Sequence, residues 1–93
     1  MRLDLFLKVS RLVPRRSLAQ EFCDAGVVSL NGVQAKSSKE VKVNDEIEIR
    51  RRNRVTKAVV LQVPDKKQMS KAGAENLYRI IAEEIVEKPD PLA

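Results

Sequence analysis

The hydrophobic repeat changes period at Gly26, and that switch restricts the chain to a fold in which helices come first and strands follow. Upstream, Leu3, Phe6 and Leu7 recur at helical spacing while Asp4, Lys8 and Arg11 fall on another face, so Arg2 to about Ser10 reads as a short amphipathic helix. Pro14 is tolerated in a first helical turn but not in mid-helix, which puts the start of a second helix near Pro14 or Arg15. Leu18, Phe22 and Ala25 share a face of that helix, with Cys23 as a small residue flanking it, and Gly26 supplies the left-handed stop. Downstream the period is two. Val28 and Leu30 alternate with Val27 and Ser29, and Asn31-Gly32 then gives a strong hairpin signal.

Lys36 to Glu40 forms a polar connection, followed by Val41, Val43, the turn pair Asn44-Asp45 and a strand with Ile47 and Ile49 inward and Glu46, Glu48 and Arg50 outward. Arg50 to Arg54 interrupts two strand-like runs and reads as a charged hairpin tip. The second run, Val55 to Val63, places Val59, Leu61 and Val63 on one face. Residues 64–73 are polar and Lys-rich, a linker by composition. Leu77, Tyr78, Ile81 and Ile85 then repeat at three and four residues, predicting an amphipathic helix over 74–88, packed over Leu5 and Val9 and followed by a tail at 89–93. The expected fold is α+β: an N-terminal helix pair on a small, mostly antiparallel β-sheet, completed by 1–63, with a C-terminal helix beyond the linker.

Charge decides what class of partner such a body suits. Residues 1–73 hold sixteen basic and eight acidic side chains, whereas 74–93 hold two basic and five acidic. A basic body with an acidic end fits a polyanion, and nucleic acid before membrane, since no basic amphipathic helix with a broad apolar face accompanies the charge. No run approaches a membrane span or a signal peptide, so the cytoplasm is the expected location. With one cysteine and no histidine, neither an internal disulfide nor a zinc set is expected. The lack of histidine, of a Gly-rich phosphate loop and of a nucleophile elbow argues against an enzyme, and no cofactor is expected.

The succession Arg2-Leu3-Asp4, Phe6-Leu7, Arg15-Arg16-Ser17-Leu18-Ala19, Gly26, Val28-Ser29-Leu30-Asn31-Gly32, Lys36 and Val41 to Ile47 resembles the RNA-binding domain named after the fourth small-subunit ribosomal protein. That family commonly has Pro-Gly-Asp where this chain has Val43-Asn44-Asp45, and Asn44 meets the same left-handed requirement. Over most of its length, including Ala74 to Tyr78 and Ile80-Ile81, the chain also resembles the RqcP-like ribosome-associated quality-control factors, with the small heat-shock ribosome-recycling proteins as relatives. The resemblance implies binding to large-subunit ribosomal RNA and tRNA on a stalled large subunit carrying peptidyl-tRNA, beside an RqcH-type tailing factor.

The residues supply a mechanism for RNA binding. Arg2, Lys8, Arg11, Arg15 and Arg16 are expected near one rim of the helix pair, with Lys36 approaching from the loop after the hairpin. Arginine's planar fork matches phosphate, and Arg15 and Arg16 also sit at a helix start, where free N–H groups favour an anion. Asp4 has two readings: a first-turn dipole partner or mate of Lys8, or a group that orients arginine or accepts a base or ribose hydrogen bond. Arg50, Arg51, Arg52 and Arg54 are either edge-strand solvation or a second RNA contact. With only Phe6, Phe22 and Tyr78 as aromatics, backbone and shape recognition is favoured over base stacking. Three alternatives stay open: a heat-shock-type ribosome-recycling RNA-binding protein, a protein-interaction adaptor using the C-terminal helix, and duplex DNA binding by the helix pair.

Overall fold

The computed structural model describes residues 1–65 and 70–85. Two helices, α1 (Leu3–Val9) and α2 (Arg16–Asp24), precede β1 (Val28–Leu30), β2 (Val33–Gln34), β3 (Glu46–Arg51) and β4 (Arg54–Val60). A short α3 (Lys71–Glu75) and β5 (Tyr78–Ile85) follow. The strands form one antiparallel sheet in the order β2-β1-β3-β4-β5.

The helix pair forms for the reasons its periodicity implies. Leu3, Phe6 and Leu7 are fully buried, and from α2 Ala19 and Cys23 join them, with Leu18 and Phe22 partly buried alongside. The centre of the α2 face is thus its small residues, which let α1 approach closely. α1 stops at Ser10, whose hydroxyl donates to the Leu7 carbonyl (3.2 Å). The next residue, Arg11, takes the left-handed conformation (φ 62°) and its N–H donates to the Lys8 carbonyl. Arg11 therefore lies in the inter-helix loop rather than on the polar face of α1. α2 ends in a Schellman motif, with the Gly26 N–H on the Cys23 carbonyl and the Val27 N–H on the Phe22 carbonyl.

Asn31 and Gly32 both have positive φ (53° and 83°), the two-residue turn that matches strand twist. Asn31 also ties the hairpin to the next strand: its Oδ1 accepts the Glu46 N–H (2.9 Å) and its Nδ2 donates to Asp45 (3.0 Å). Asn44 takes φ 74° as its turn position demands. The loop after β2 closes over the start of α1, where the Leu3 N–H donates to the Lys39 carbonyl (2.8 Å) and the Asp4 N–H to the Ser37 carbonyl (3.1 Å).

Two expectations are corrected. The inward face of β4 is Ala58 (2% exposed) and Val60 (0%), while Leu61 is 44% exposed. Pairing with β3 sets this parity, because it puts Ala58 opposite the buried Ile47 and Val59 opposite Glu46. The amphipathic helix expected over 74–88 is absent from its described part. α3 is a single five-residue helix capped by Ser70, whose Oγ accepts the Gly73 N–H (3.1 Å), and the chain turns at Leu77 into β5. The free edge of β4 offers a complete backbone ladder, and Tyr78, Ile80, Ile81 and Ile85 are residues that strands favour. Residues 66–69 of the expected linker and 86–93, which include the expected tail, lie outside the described residues.

Leu77 (1% exposed) and Ala74 (0%) are buried, so the C-terminal strand belongs to the same body as the helices. A methyl group at Gly26 would stand 2.5 Å from the Gln34 amide nitrogen in a residue held at φ 78°, whereas one at Gly32 would meet nothing within 4 Å. Both substitutions strain the backbone by about 1–2 kcal/mol. The Gln34 amide is the far end of an exposed, flexible side chain and can swing aside, so urea unfolding is expected to show losses of similar size for Gly26→Ala and Gly32→Ala.

Candidate nucleic-acid interface

A carboxylate inside the core organises the basic rim. Asp4 is fully buried in the first turn of α1. Its Oδ1 accepts the Leu5 N–H (2.8 Å) and lies 3.4 Å from Arg2 Nε, and its Oδ2 accepts Gln20 Nε2 (2.8 Å) and Arg16 Nε (3.2 Å). Burial pushes this carboxyl up. The hydrogen bonds from Gln20, Arg16 and Leu5 and the charge of Arg16 outweigh burial and hold it below its ordinary value of 3.8. Asp4 thus takes the arginine-orienting role of its two readings.

The side chains of Arg2 and Arg16 remain 48% and 41% exposed, so each guanidinium is gripped on its inner side and open on its outer side. Arg16 gives Asp4 its Nε, the geometry that leaves the terminal nitrogens for a second, external anion. Arg16 is also the first residue of α2. Arg15, the extended N-cap residue, makes no side-chain cap, so the first N–H groups of α2 donate no hydrogen bond to its side chain.

The other predicted residues divide. Exposed Lys36 directly precedes Ser37, whose carbonyl holds the Asp4 N–H, so it borders the Arg2–Asp4–Arg16 group. Lys8 lies one turn along α1 from Asp4, and exposed Arg11 sits in the loop after that helix. The four hairpin arginines do not form one patch. Arg50 points to the sheet face away from the helices and pairs with Glu48 (3.5 Å), and Arg54 pairs with Glu83 (3.4 Å). Arg51 donates from Nη2 to the Leu12 carbonyl (3.0 Å) and stands 5.7 Å from the centre of the Phe22 ring. Arg52 occupies the two-residue turn at the tip.

Gln20 is the Asp4 partner that pattern reading missed. No local signal marked it: Asp4 reads as part of the polar face of α1, and only its burial, which requires donors, brings in Gln20, one turn beyond Arg16 on the same side of α2. Cys23 only packs. Burial, with the charges of Asp4 and Asp24, pushes its thiol up to about 11. Among the described residues no cluster suits a metal ion, and no helix is long and apolar enough to cross a membrane.

The segment that holds the buried carboxylate, its two arginines and the start of α2 is the segment that the family model described as S4 domain matches, residues 1–47. The RQC P-site tRNA stabilizing factor of Streptococcus pneumoniae is 46% identical over 88 residues, covering 95% of this chain and 98% of the relative. That of Bacillus subtilis is 49% identical over 85 residues, covering 90% and 95%. Among solved structures, Heat Shock Protein 15 of Vibrio cholerae, a trimer, superposes with a TM-score of 0.79 at 31% identity, covering 88% of this chain and 82% of that one. The chain belongs to the S4-domain family and, within it, to the RQC P-site tRNA stabilizing factors.

Two measurements separate the roles. Because the folded pKa of Asp4 is depressed, its contribution to stability is complete above 3.8 and is lost as pH falls from there through the folded value. Asp4→Asn is expected to cost about 1–3 kcal/mol at neutral pH. Urea melts across acidic pH should show that difference shrinking below pH 3.8. Arg51→Ala is expected to cost about 1 kcal/mol, the value of one hydrogen bond, while leaving the salt dependence of RNA binding unchanged. A reduced salt slope would make Arg51 a phosphate contact instead.

Proposed function

We propose that this protein is a non-catalytic factor that binds the large ribosomal subunit together with P-site tRNA during quality control of stalled nascent chains. The observation that carries the reading is the pair Arg2 and Arg16, fixed by one buried carboxylate with their outer faces open beside the start of α2. That arrangement suits phosphates held at a fixed spacing, as at a junction of two RNA strands. Arg15, Lys8, Arg11 and Lys36 extend the rim and supply long-range attraction. The curated relatives, named for stabilizing P-site tRNA, support tRNA as one of the RNAs.

Large-subunit ribosomal RNA is the other RNA in this proposal, and an RqcH-type tailing factor is the protein partner that would act on the same stalled subunit. Such a factor works in the cytoplasm. The hairpin tip offers a secondary RNA contact through Arg52, because Arg50, Arg51 and Arg54 have partners inside the chain. Likeness to Heat Shock Protein 15 favours a second reading, a ribosome-recycling factor on the same RNA-binding rim. The adaptor reading rested on a helix over 74–88 and loses that support with it.

With three to five phosphates neutralised, binding should weaken with salt at a logarithmic slope of roughly −2 to −4.5. Arg16→Ala is expected to abolish co-sedimentation with large subunits at physiological salt and to reduce the slope by about 1. Unchanged co-sedimentation would remove the rim from the binding surface. Crosslinking in cells separates the two readings: tRNA recovered with large-subunit RNA supports tRNA stabilization, and large-subunit RNA alone supports recycling.

A further inference from the structure

β5 leaves the sheet with one long open edge. It pairs with β4 on one side and with no described strand on the other, while the opposite edge of the sheet is the two-residue β2. Edge strands are usually protected by charge, lysine above all, by proline, by bulges or by brevity. β5 is eight residues long, contains neither residue type, and exposes Ile80 (42%), Ile81 (44%) and Ile85 (70%). Of its charges, Glu83 is held by Arg54. Arg79 and Glu84 have no ion-pair partner among the described residues. Both lie on the face away from the helices, opposite Val59 and Val55.

The bulge in β5 determines how a like strand can fit there. The register with β4 shifts between Lys57 and Ala58, which makes Ile81 the extra residue. Tyr78, Ile80, Glu83 and Ile85 therefore share the helix-side face, and Arg79, Ala82 and Glu84 the other. When two identical strands pair antiparallel about a two-fold axis, opposed residues must lie on the same face. Placing the axis between Ile81 and Ala82 meets this condition for Tyr78 with Ile85, Arg79 with Glu84 and Ile80 with Glu83, and brings the two bulges together at the centre.

In that register Arg79 faces Glu84 of the second copy, and Glu84 faces its Arg79, on the solvent side. Tyr78 faces Ile85 on the other side. Sliding by one residue mismatches the faces, and sliding by two parts the charges.

We propose that the β5 edge is a self-association surface through which two copies of this chain join into one continuous antiparallel sheet. The RNA rim borders the loop after β2, at the other edge, so this pairing leaves it uncovered. Sedimentation equilibrium of the full chain over a wide concentration range tests it. A monomer–dimer equilibrium weakened by salt is expected. Arg79→Glu and Glu84→Arg, each of which turns two attractive cross-strand pairs into repulsive ones, should weaken it about tenfold, and the double exchange should restore it. Both positions are exposed, and far-UV circular dichroism verifies folding. If one single variant fails to fold, the other and the double variant still decide. A monomer at every concentration, association that the folded single variants leave unchanged, or a folded double variant as weak as the singles would each overturn the proposal.

Discussion

A carboxylate buried among apolar side chains is the contact on which the rest of this structure turns. Removing Asp4 from water is costly, and the cost is offset only while its partners, the donors of Leu5, Arg16 and Gln20 and the ion-paired Arg2, all stay in place. Those partners come from the residue before α1, from α1 itself and from α2, so one ion sets the orientation of two helices and of two arginine heads. Two cations against one anion leave a net positive charge at the surface, and the start of α2 adds to it. Stability and the proposed binding rim thus draw on the same four side chains. A phosphate that docks there meets guanidinium groups whose positions have already been fixed by folding.

Local backbone chemistry was the legible part. The change of period at Gly26, the left-handed pair Asn31-Gly32 and the turn at Asn44 each follow from residues within a few positions, and each stands in the structure with the positive φ its sequence implies. Arg2, Asp4 and Arg16 were identifiable from the helix spacing and from the family resemblance, although the choice between the two roles of Asp4 was not. That choice depends on Gln20, which lies 16 residues away along the chain.

Non-local competition hid the rest. Leu77, Ile81 and Ile85 satisfy a helical spacing, and the strand wins because β4 offers an edge that no local window reveals. The inward parity of β4 was ambiguous for a related reason. Both alternations in Val55 to Val63 carry apolar residues, and only registration against Ile47 selects Ala58 and Val60. Arginine counting likewise could not show how the four hairpin arginines divide among partners. Arg51 there grips the Leu12 carbonyl beside Arg11, so the far end of the sheet steadies the loop between the helices.

Sheet order has a consequence for how the protein is made. Apart from β2, which fills an outer edge, each strand is added beside its predecessor: β3 on β1, β4 on β3 and β5 on β4. A chain emerging from its own ribosome therefore finds every docking strand already synthesised, and the carboxylate clamp is complete once Gln20 and Ser37 have appeared. Growth from the N-terminus and growth of the fold run in the same direction, so the molecule is assembled in the order it is translated.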